Sequence, residues 1–253
     1  MRFWNDSSYN VWRCLGLAGL MVAIFGATAD LRAETVETES APTSFAELLA
    51  GFNETTGLEA RFEEEKYLAL LAVPLRSSGR LYFEPPSTLL RRVEKPRPQD
   101  VLIADHHVRI SDGDGRGVQT IDLASRAEVR PLIESMIWIF TGDLESLQRT
   151  YRIDYQRISP AVGEDEGQGD RNGDGDAIGA GERWQVRLIP RNAPLSQLVS
   201  ELRVSGRGRE ADTMELRETS GDRTLTRIID PNPQRRFDST ERRELFGFGP
   251  TSR

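Results

Sequence analysis

The sequence predicts an α+β protein: a single antiparallel sheet forming an incomplete, unclosed β-barrel, with helices covering its concave face. Three observations predict it. Between Leu75 and Asp105, short runs rich in β-branched and aromatic residues are punctuated by Ser77-Ser-Gly79, Pro85-Pro86 and Lys95-Pro-Arg-Pro98. Gly and Pro break a ladder where a turn must form, so this stretch reads as a meander. More strand-like runs follow in the second half of the chain, making about ten strands that share one sheet with a single apolar face. Two or three apolar helical stripes cannot cover both faces of such a sheet, so they are expected to pack together on the concave one.

Taken in order, residues 1–29 read as an export signal. Arg2 and Arg13 flank a polar start, Leu15–Phe25 is a short apolar run, and Ala27-Thr-Ala29 offers small residues for cleavage, with Ala33 an alternative. The run is too short to span a membrane comfortably. Residues 30–43 read as a polar linker. Ser44-x-x-Glu47 is a capping box, and Phe45, Leu48, Leu49 and Phe52 follow at helical spacing, with an end expected near Thr55–Gly57. Leu58, Ala60 and Phe62 alternate with Glu59, Arg61 and Glu63, the period of a half-buried strand, and Tyr67–Leu75 reads as its more fully apolar continuation.

After the meander, His106–Ile110 and Val118–Leu123 bracket a Gly-rich turn at Ser111–Gly117. Leu132, Ile133, Met136, Ile137 and Phe140 form a second helical stripe, with Pro131 tolerated in its first turn. Thr141-Gly-Asp143 breaks it before a short helix from Leu144 to Tyr151. Strands are expected at Tyr151–Ile158, Arg183–Ile189, Leu202–Gly206, Thr213–Thr219 and Arg223–Ile229, the last two joined at Ser220-Gly-Asp222. One domain, residues 44–230, therefore carries an insert at 159–182 and a polar tail at 231–253 that ends in Leu245-Phe246-Gly-Phe248.

Composition excludes several functions. The chain of 253 residues carries a formal charge of −7, and loss of the Arg-containing leader leaves it more acidic still. A nucleic-acid binder must neutralise phosphates with a basic face, so no nucleic acid is expected as a partner. The single cysteine, Cys14, lies in the leader and follows an arginine where lipidation requires a small residue. The mature chain thus has no disulfide, thiol nucleophile or thiolate metal site. Export without disulfides fits a bacterial periplasm.

No pattern of catalytic residues emerges. Asp170-Arg-Asn172-Gly-Asp174-Gly175 matches the opening of an EF-hand loop, but Glu182 falls one position beyond the bidentate ligand. Ser159–Glu182 holds seven Gly and seven acidic residues and reads as a solvated insert between strands, so no metal site is expected. His106 and His107 are neighbours that would face opposite sides of a strand, and no nucleophile is tied to either. Phosphate-loop, nucleophile-elbow and zinc-protease signatures are missing. Glu63-Glu64-Glu65 reads as a solvated edge. No cofactor and no enzymatic activity are expected. The helical stripes remain, and pattern alone does not separate a packed core from a cavity wall.

At this point the chain resembles the periplasmic outer-membrane lipoprotein carrier (LolA-type) family, and more closely its divergent LolA-related branch. The matching residues are Leu58-x-Ala60-x-Phe62, Ser78-Gly79-x-Leu81-x-Phe83-x-x-Pro86, Leu89–Val93 and Val101-Leu-Ile-Ala-Asp105, followed by the helix to Phe140. Trp184-x-Val-x-Leu188-x-Pro190, Leu202-x-Val204-x-Gly206 and Glu218-x-x-Gly221-Asp222 complete them, over about residues 44–229. The resemblance implies a monomeric periplasmic carrier that shelters the acyl chains of a lipoprotein or other lipid-linked cargo between the inner and outer membranes. An inner-membrane exporter would load it and an outer-membrane acceptor would unload it.

The expected apolar ligand shelf combines Leu48, Leu49 and Phe52 with Leu81, Phe83 and Leu89, and with Met136, Ile137 and Phe140 from the lid. The family places an arginine just before the Pro that follows its second strand, as a lid latch; here that position is Pro85. Leu89, Arg91 and Val93 share a face that the resemblance turns inward, which makes Arg91 the candidate for an anionic headgroup. An Arg91 that snorkels to water at the cavity rim is the plainer alternative. Two other functional classes remain: a non-enzymatic interaction or assembly module with a filled core, and a lipid-acting hydrolase, which would need a nucleophile–base pair that the sequence lacks.

Overall fold

The computed structural model describes residues 42–112, 117–128, 130–158 and 182–247. The expected export signal, most of the expected linker and insert, the EF-hand-like loop before Glu182, the tip of the Ser111–Gly117 turn and Phe248 lie outside the described residues.

Helix α1 (Phe45–Asn53) starts where the capping box places it. Ser44 Oγ accepts the N–H of Glu47 at 3.2 Å. Glu47 reaches back to Thr43 rather than Ser44, accepting from its N–H at 2.7 Å and its hydroxyl at 2.6 Å. Those two bonds hold the Glu47 carboxyl below the usual carboxylate range.

Six strands follow as a meander: β1 (Leu58–Tyr67), β2 (Leu75–Glu84), β3 (Thr88–Lys95), β4 (Gln99–Ala104), β5 (His107–Asp112) and β6 (Val118–Asp122). Helices α2 (Arg130–Phe140) and α3 (Leu144–Thr150) come next, separated by Gly142 at φ +69°. A second meander, β7 (Tyr151–Ile158), β8 (Arg183–Pro190), β9 (Val199–Arg207), β10 (Glu210–Glu218) and β11 (Arg223–Asn232), precedes α4 (Ser239–Leu245).

All eleven strands form one antiparallel sheet in the order β6-β5-β4-β3-β2-β1-β11-β10-β9-β8-β7. The two meanders join through β1 and β11, with Phe62 opposite Ile228 and Glu64 opposite Thr226. Strands β6 and β7 end the sheet without pairing, so the barrel stays open, and the segment carrying α2 and α3 bridges the gap between them.

The pleat sorts the side chains. Along β1, Leu58, Ala60, Phe62 and Glu64 are buried while Arg61 and Glu63 are exposed. The inner face and helices α1, α2 and α3 share one large apolar cluster. Trp184 lies over Gly206 in that face. A Cβ at Gly206 would sit 2.5 Å from the indole and 1.8 Å from the Glu210 carbonyl, so only glycine fits there.

Three expectations are corrected. Ser77-Ser-Gly79 is not a turn; it lies inside β2, where the β2–β3 register shifts between Ser78 and Gly79. The apolar run after Tyr67 is not strand: β1 ends there, and residues 68–74 form the loop to β2. Glu63-Glu64-Glu65 is no sheet edge, because β1 sits between β2 and β11, and the pleat turns Glu64 into the barrel.

The three expected helices share the concave face, and the tail adds a fourth that does not. The tail beyond Asn232 folds onto the convex side, where Phe237, Leu245 and Phe246 pack on Tyr82, Leu90 and Leu102. Asp238 and Glu241 form a full capping box for α4, and Arg242 pairs with Glu84 beside Pro85-Pro86. The convex face has its own apolar patch, which α4 covers.

Candidate binding cavity

Seven of the nine expected shelf residues meet in the large cluster: Leu48, Leu49, Phe52, Phe83, Leu89, Met136 and Phe140 are all buried there. Ile137 packs against it half-buried. The rings of Phe83 on β2 and Phe140 on α2 stack at 4.1 Å between centroids and 17° between planes, so α2 rests directly on the sheet. Leu81 shares the inward face but lies further along the barrel, in a separate cluster with Phe62 and Val93. Composition placed these stripes; their meeting across the opening depends on the sheet order, which no local pattern encodes.

A buried hydrogen-bond chain ties α2 to the second meander. Ser135 on α2 and Tyr151 at the start of β7 are fully buried, with Ser135 Oγ 2.6 Å from the Tyr151 hydroxyl. Ser135 donates to the Pro131 carbonyl, so Tyr151 is the donor to Ser135. Burial pushes the Tyr151 phenol up to about 12, above its ordinary value of 10.0.

A raised phenol stabilises the fold fully below pH 10, and that contribution is lost as the pH climbs to 12. At about 1.4 kcal/mol per unit, the loss totals roughly 2–3 kcal/mol. Denaturant unfolding measured between pH 9 and 12 should therefore show a decline that Tyr151→Phe flattens. An equal slope in both proteins would assign the decline elsewhere.

Beyond the apolar cluster, the inner face turns polar. Arg91 on β3 faces inward as its register with Leu89 and Val93 requires, and it is not at a wet rim. It is 2% exposed, beside Glu64 at 7%. Arg91 Nη2 lies 3.1 Å from Glu64 Oε1 and donates to Ser77 Oγ at 3.4 Å, and Ser77 in turn donates to the same carboxylate oxygen at 3.2 Å. The guanidinium lies 4.5 Å from the centroid of the Phe62 ring.

Arg91 Nε, Glu64 Oε2 and the hydroxyls of Thr224 and Thr226 are buried without a protein partner. A hollow of about 390 Å³ adjoins this row, lined by Glu64, Ser77, Ser78, Lys95 and Pro96 among others. Sequence reasoning missed Glu64. The alternation at Ala60, Phe62 and Glu64 held the signal, but three successive carboxylates masked it.

The histidines take no part. His106 sits in the β4–β5 turn at φ +61°, and His107 Nδ1 lies 2.6 Å from the Asp105 carbonyl. Among the described residues, no group of three His, Cys, Asp or Glu side chains could hold a metal ion. No described helix is long and apolar enough to cross a membrane.

Fold and site together define an open antiparallel barrel with a helical layer on its inner face, apolar under that layer and polar beyond it. Solved structures similar to this chain include a LolA superfamily protein from Nitrosomonas europaea, 8% identical, with TM-score 0.36, covering 74% of this chain and 90% of that one. A second is a putative outer membrane lipoprotein-sorting protein domain from Vibrio parahaemolyticus, 13% identical, with TM-score 0.41, covering 77% and 94%. The Pseudomonas aeruginosa MucA/MucB complex contains a third, at 10% identity and TM-score 0.36, covering 73% and 54%. No protein-family model and no curated protein matches the sequence. These are distant likenesses.

Proposed function

We propose that the protein is a periplasmic carrier that shelters the acyl chains of a lipoprotein or other lipid-linked cargo between the inner and outer membranes. One observation carries this reading: the largest apolar cluster lies between the open barrel's inner face and a separate helical layer that bridges the unpaired edges β6 and β7. Displacing that layer would uncover a continuous apolar trough.

The magnitudes suit an exchange. Exposing the seven shelf side chains would cost on the order of 10–20 kcal/mol at about 1.5–3 each, too much for the lid to stay open empty. An acyl chain of roughly sixteen CH2 groups recovers about 13 kcal/mol at ~0.8 each. A chain can therefore replace the lid's contacts, and transfer to a membrane or acceptor can reverse the exchange.

The polar row of Arg91, Glu64, Ser77, Thr224 and Thr226 would then receive the cargo's head. Glu64 already answers the Arg91 charge, so the row suits a hydrogen-bonding group such as an amide, hydroxyl or ester better than an isolated anion. Pro85 stands where the family's latch would be, and contacts such as Phe83–Phe140 and Tyr151–Ser135 take over the closing role in this reading. An inner-membrane exporter and an outer-membrane acceptor are the proposed partners, with the protein acting as a monomer.

The tight Phe83–Phe140 stack favours a second reading, an interaction module whose core is permanently filled. Native mass spectrometry of the protein recovered from its own periplasm, with lipid analysis of what dissociates, separates the two. The carrier reading expects a stoichiometric lipid or lipoprotein adduct. An empty protein that also refuses a fluorescent fatty-acid probe would establish the filled core.

A further inference from the structure

The loop between β1 and β2 breaks the rule that governs the rest of the surface. Residues 68–74 read Leu-Ala-Leu-Leu-Ala-Val-Pro and run into Leu75. Leu70 is 97% exposed, Val73 71%, Leu75 52% and Leu71 47%. Elsewhere among the described residues, the exposed large apolar side chains are Val118 and Ile158, one on each edge strand. Single exposed leucines need no explanation, but three large apolar side chains on one loop and a fourth at the start of β2 do.

The loop is also held in place. Leu71 N–H bonds to the Leu68 carbonyl at 2.9 Å, and Ala69 N–H donates to Asp222 of the β10–β11 turn at 3.0 Å. At its base Arg223 lies over the Tyr67 ring, 4.3 Å from the centroid. The tip is thus presented outward from two strands at the middle of the sheet.

What surrounds the tip says what it meets. Arg76 follows directly on β2, and Lys95 begins the β3–β4 turn opposite Ser78, with Arg97 beyond it. Arg76, Lys95 and Arg97 are all exposed. Arg76 is answered by Glu65 at 3.1 Å, and Glu63 and Glu65 share the lining of the hollow, whereas Lys95 and Arg97 have no ion-pair partner among the described residues. Arg76 and Lys95 line the hollow that leads to the polar row. A chain of net charge −7 therefore places an apolar tip beside a cationic flank. An apolar wedge with basic residues behind it matches a lipid surface bearing anionic headgroups, where apolar side chains enter the acyl boundary and Lys and Arg stay at the phosphates.

We propose that the β1–β2 loop is a membrane-docking element that inserts Leu70, Leu71 and Val73 into an anionic lipid surface, with Lys95 and Arg97 against the headgroups. Docking would bring the mouth of the neighbouring hollow to the bilayer. The proposal stands whether or not the barrel carries a lipid, because surface binding is read without any cargo.

The test is flotation of the exported protein, checked by mass to lack the leader, with phosphatidylcholine vesicles with or without one quarter phosphatidylglycerol. Wild type should float with the anionic vesicles, less so as salt rises. The double substitution Leu70→Glu/Val73→Glu should weaken partitioning at least tenfold with an unchanged thermal midpoint, since both side chains are exposed. Lys95→Glu/Arg97→Glu should abolish the preference for phosphatidylglycerol. Leu70→Trp should shift its added emission to the blue on vesicle addition.

Wild type that floats with neither vesicle would overturn the proposal, as would binding indifferent to Leu70→Glu/Val73→Glu. Loop-dependent self-association in sedimentation, with no lipid binding, would assign the loop to a second copy of the chain and overturn it equally.

Discussion

Arg91→Ala should destabilise the protein by about 3–5 kcal/mol, because it leaves the Glu64 carboxylate buried with no counter-charge. Glu64 would keep the Ser77 hydroxyl as a donor, which is far less than a guanidinium. The loss comes from a stranded charge and not from the value of the pair itself, so removing both charges should be much milder. Arg91→Met/Glu64→Leu, which keeps apolar volume at both sites, is expected to recover most of the stability in denaturant unfolding. A double variant as unstable as Arg91→Ala would mean that the row contributes through its hydrogen bonds to the strands. On the carrier reading, the same double variant tests the place proposed for the cargo's head: folded but stripped of its polar row, it should still take up an acyl chain yet release it more readily to vesicles.

Phe140→Ala should have a comparable energetic effect with a different distribution. Removing a buried phenyl costs about 3–5 kcal/mol, and here it also removes the ring that stacks on Phe83. If the lid opens as a unit, the cost falls on lid closure. Amide exchange in α1 and α2 should then quicken by about two to four orders of magnitude, while the β1 and β11 amides keep their protection. If lid and barrel form one inseparable core, exchange should rise throughout. Hydrogen exchange resolved by segment therefore reads directly whether the helical layer is a lid.

Local chemistry made much of this molecule legible. The Ser44 cap, the alternation at Leu58, Ala60 and Phe62, the Thr141-Gly-Asp143 break and the Ser220-Gly-Asp222 turn all act within a few residues, and each lies where its pattern put it. The misreadings share a different cause. Gly79 looks like a turn residue but serves a close approach, since a Cβ there would meet the Arg92 carbonyl at 1.9 Å on the neighbouring strand. Leu70 and Val73 look like core because apolar residues usually are, and nothing local distinguishes a buried run from a presented one. Phe237 and Phe246 looked like part of a polar tail until the convex patch of Tyr82, Leu90 and Leu102 gave them a partner. Glu64 was hidden by its neighbours, and its partner Arg91 is brought beside it by the intervening strand β2.

The junction of β1 with β11 has a consequence for how the chain reaches this state. Each meander is built from neighbours in sequence and can zip hairpin by hairpin. The seam between them is different: its Arg61–Asp230 ion pair joins residues 169 positions apart. Closing so long a loop costs about 4–5 kcal/mol of chain entropy before any seam contact forms. Until it closes, each half presents an uncovered apolar face and an unpaired central strand, the combination that favours wrong partners. Assembly is thus governed by one late, non-local event, and the half-formed chain is at its most vulnerable just before its two ends meet.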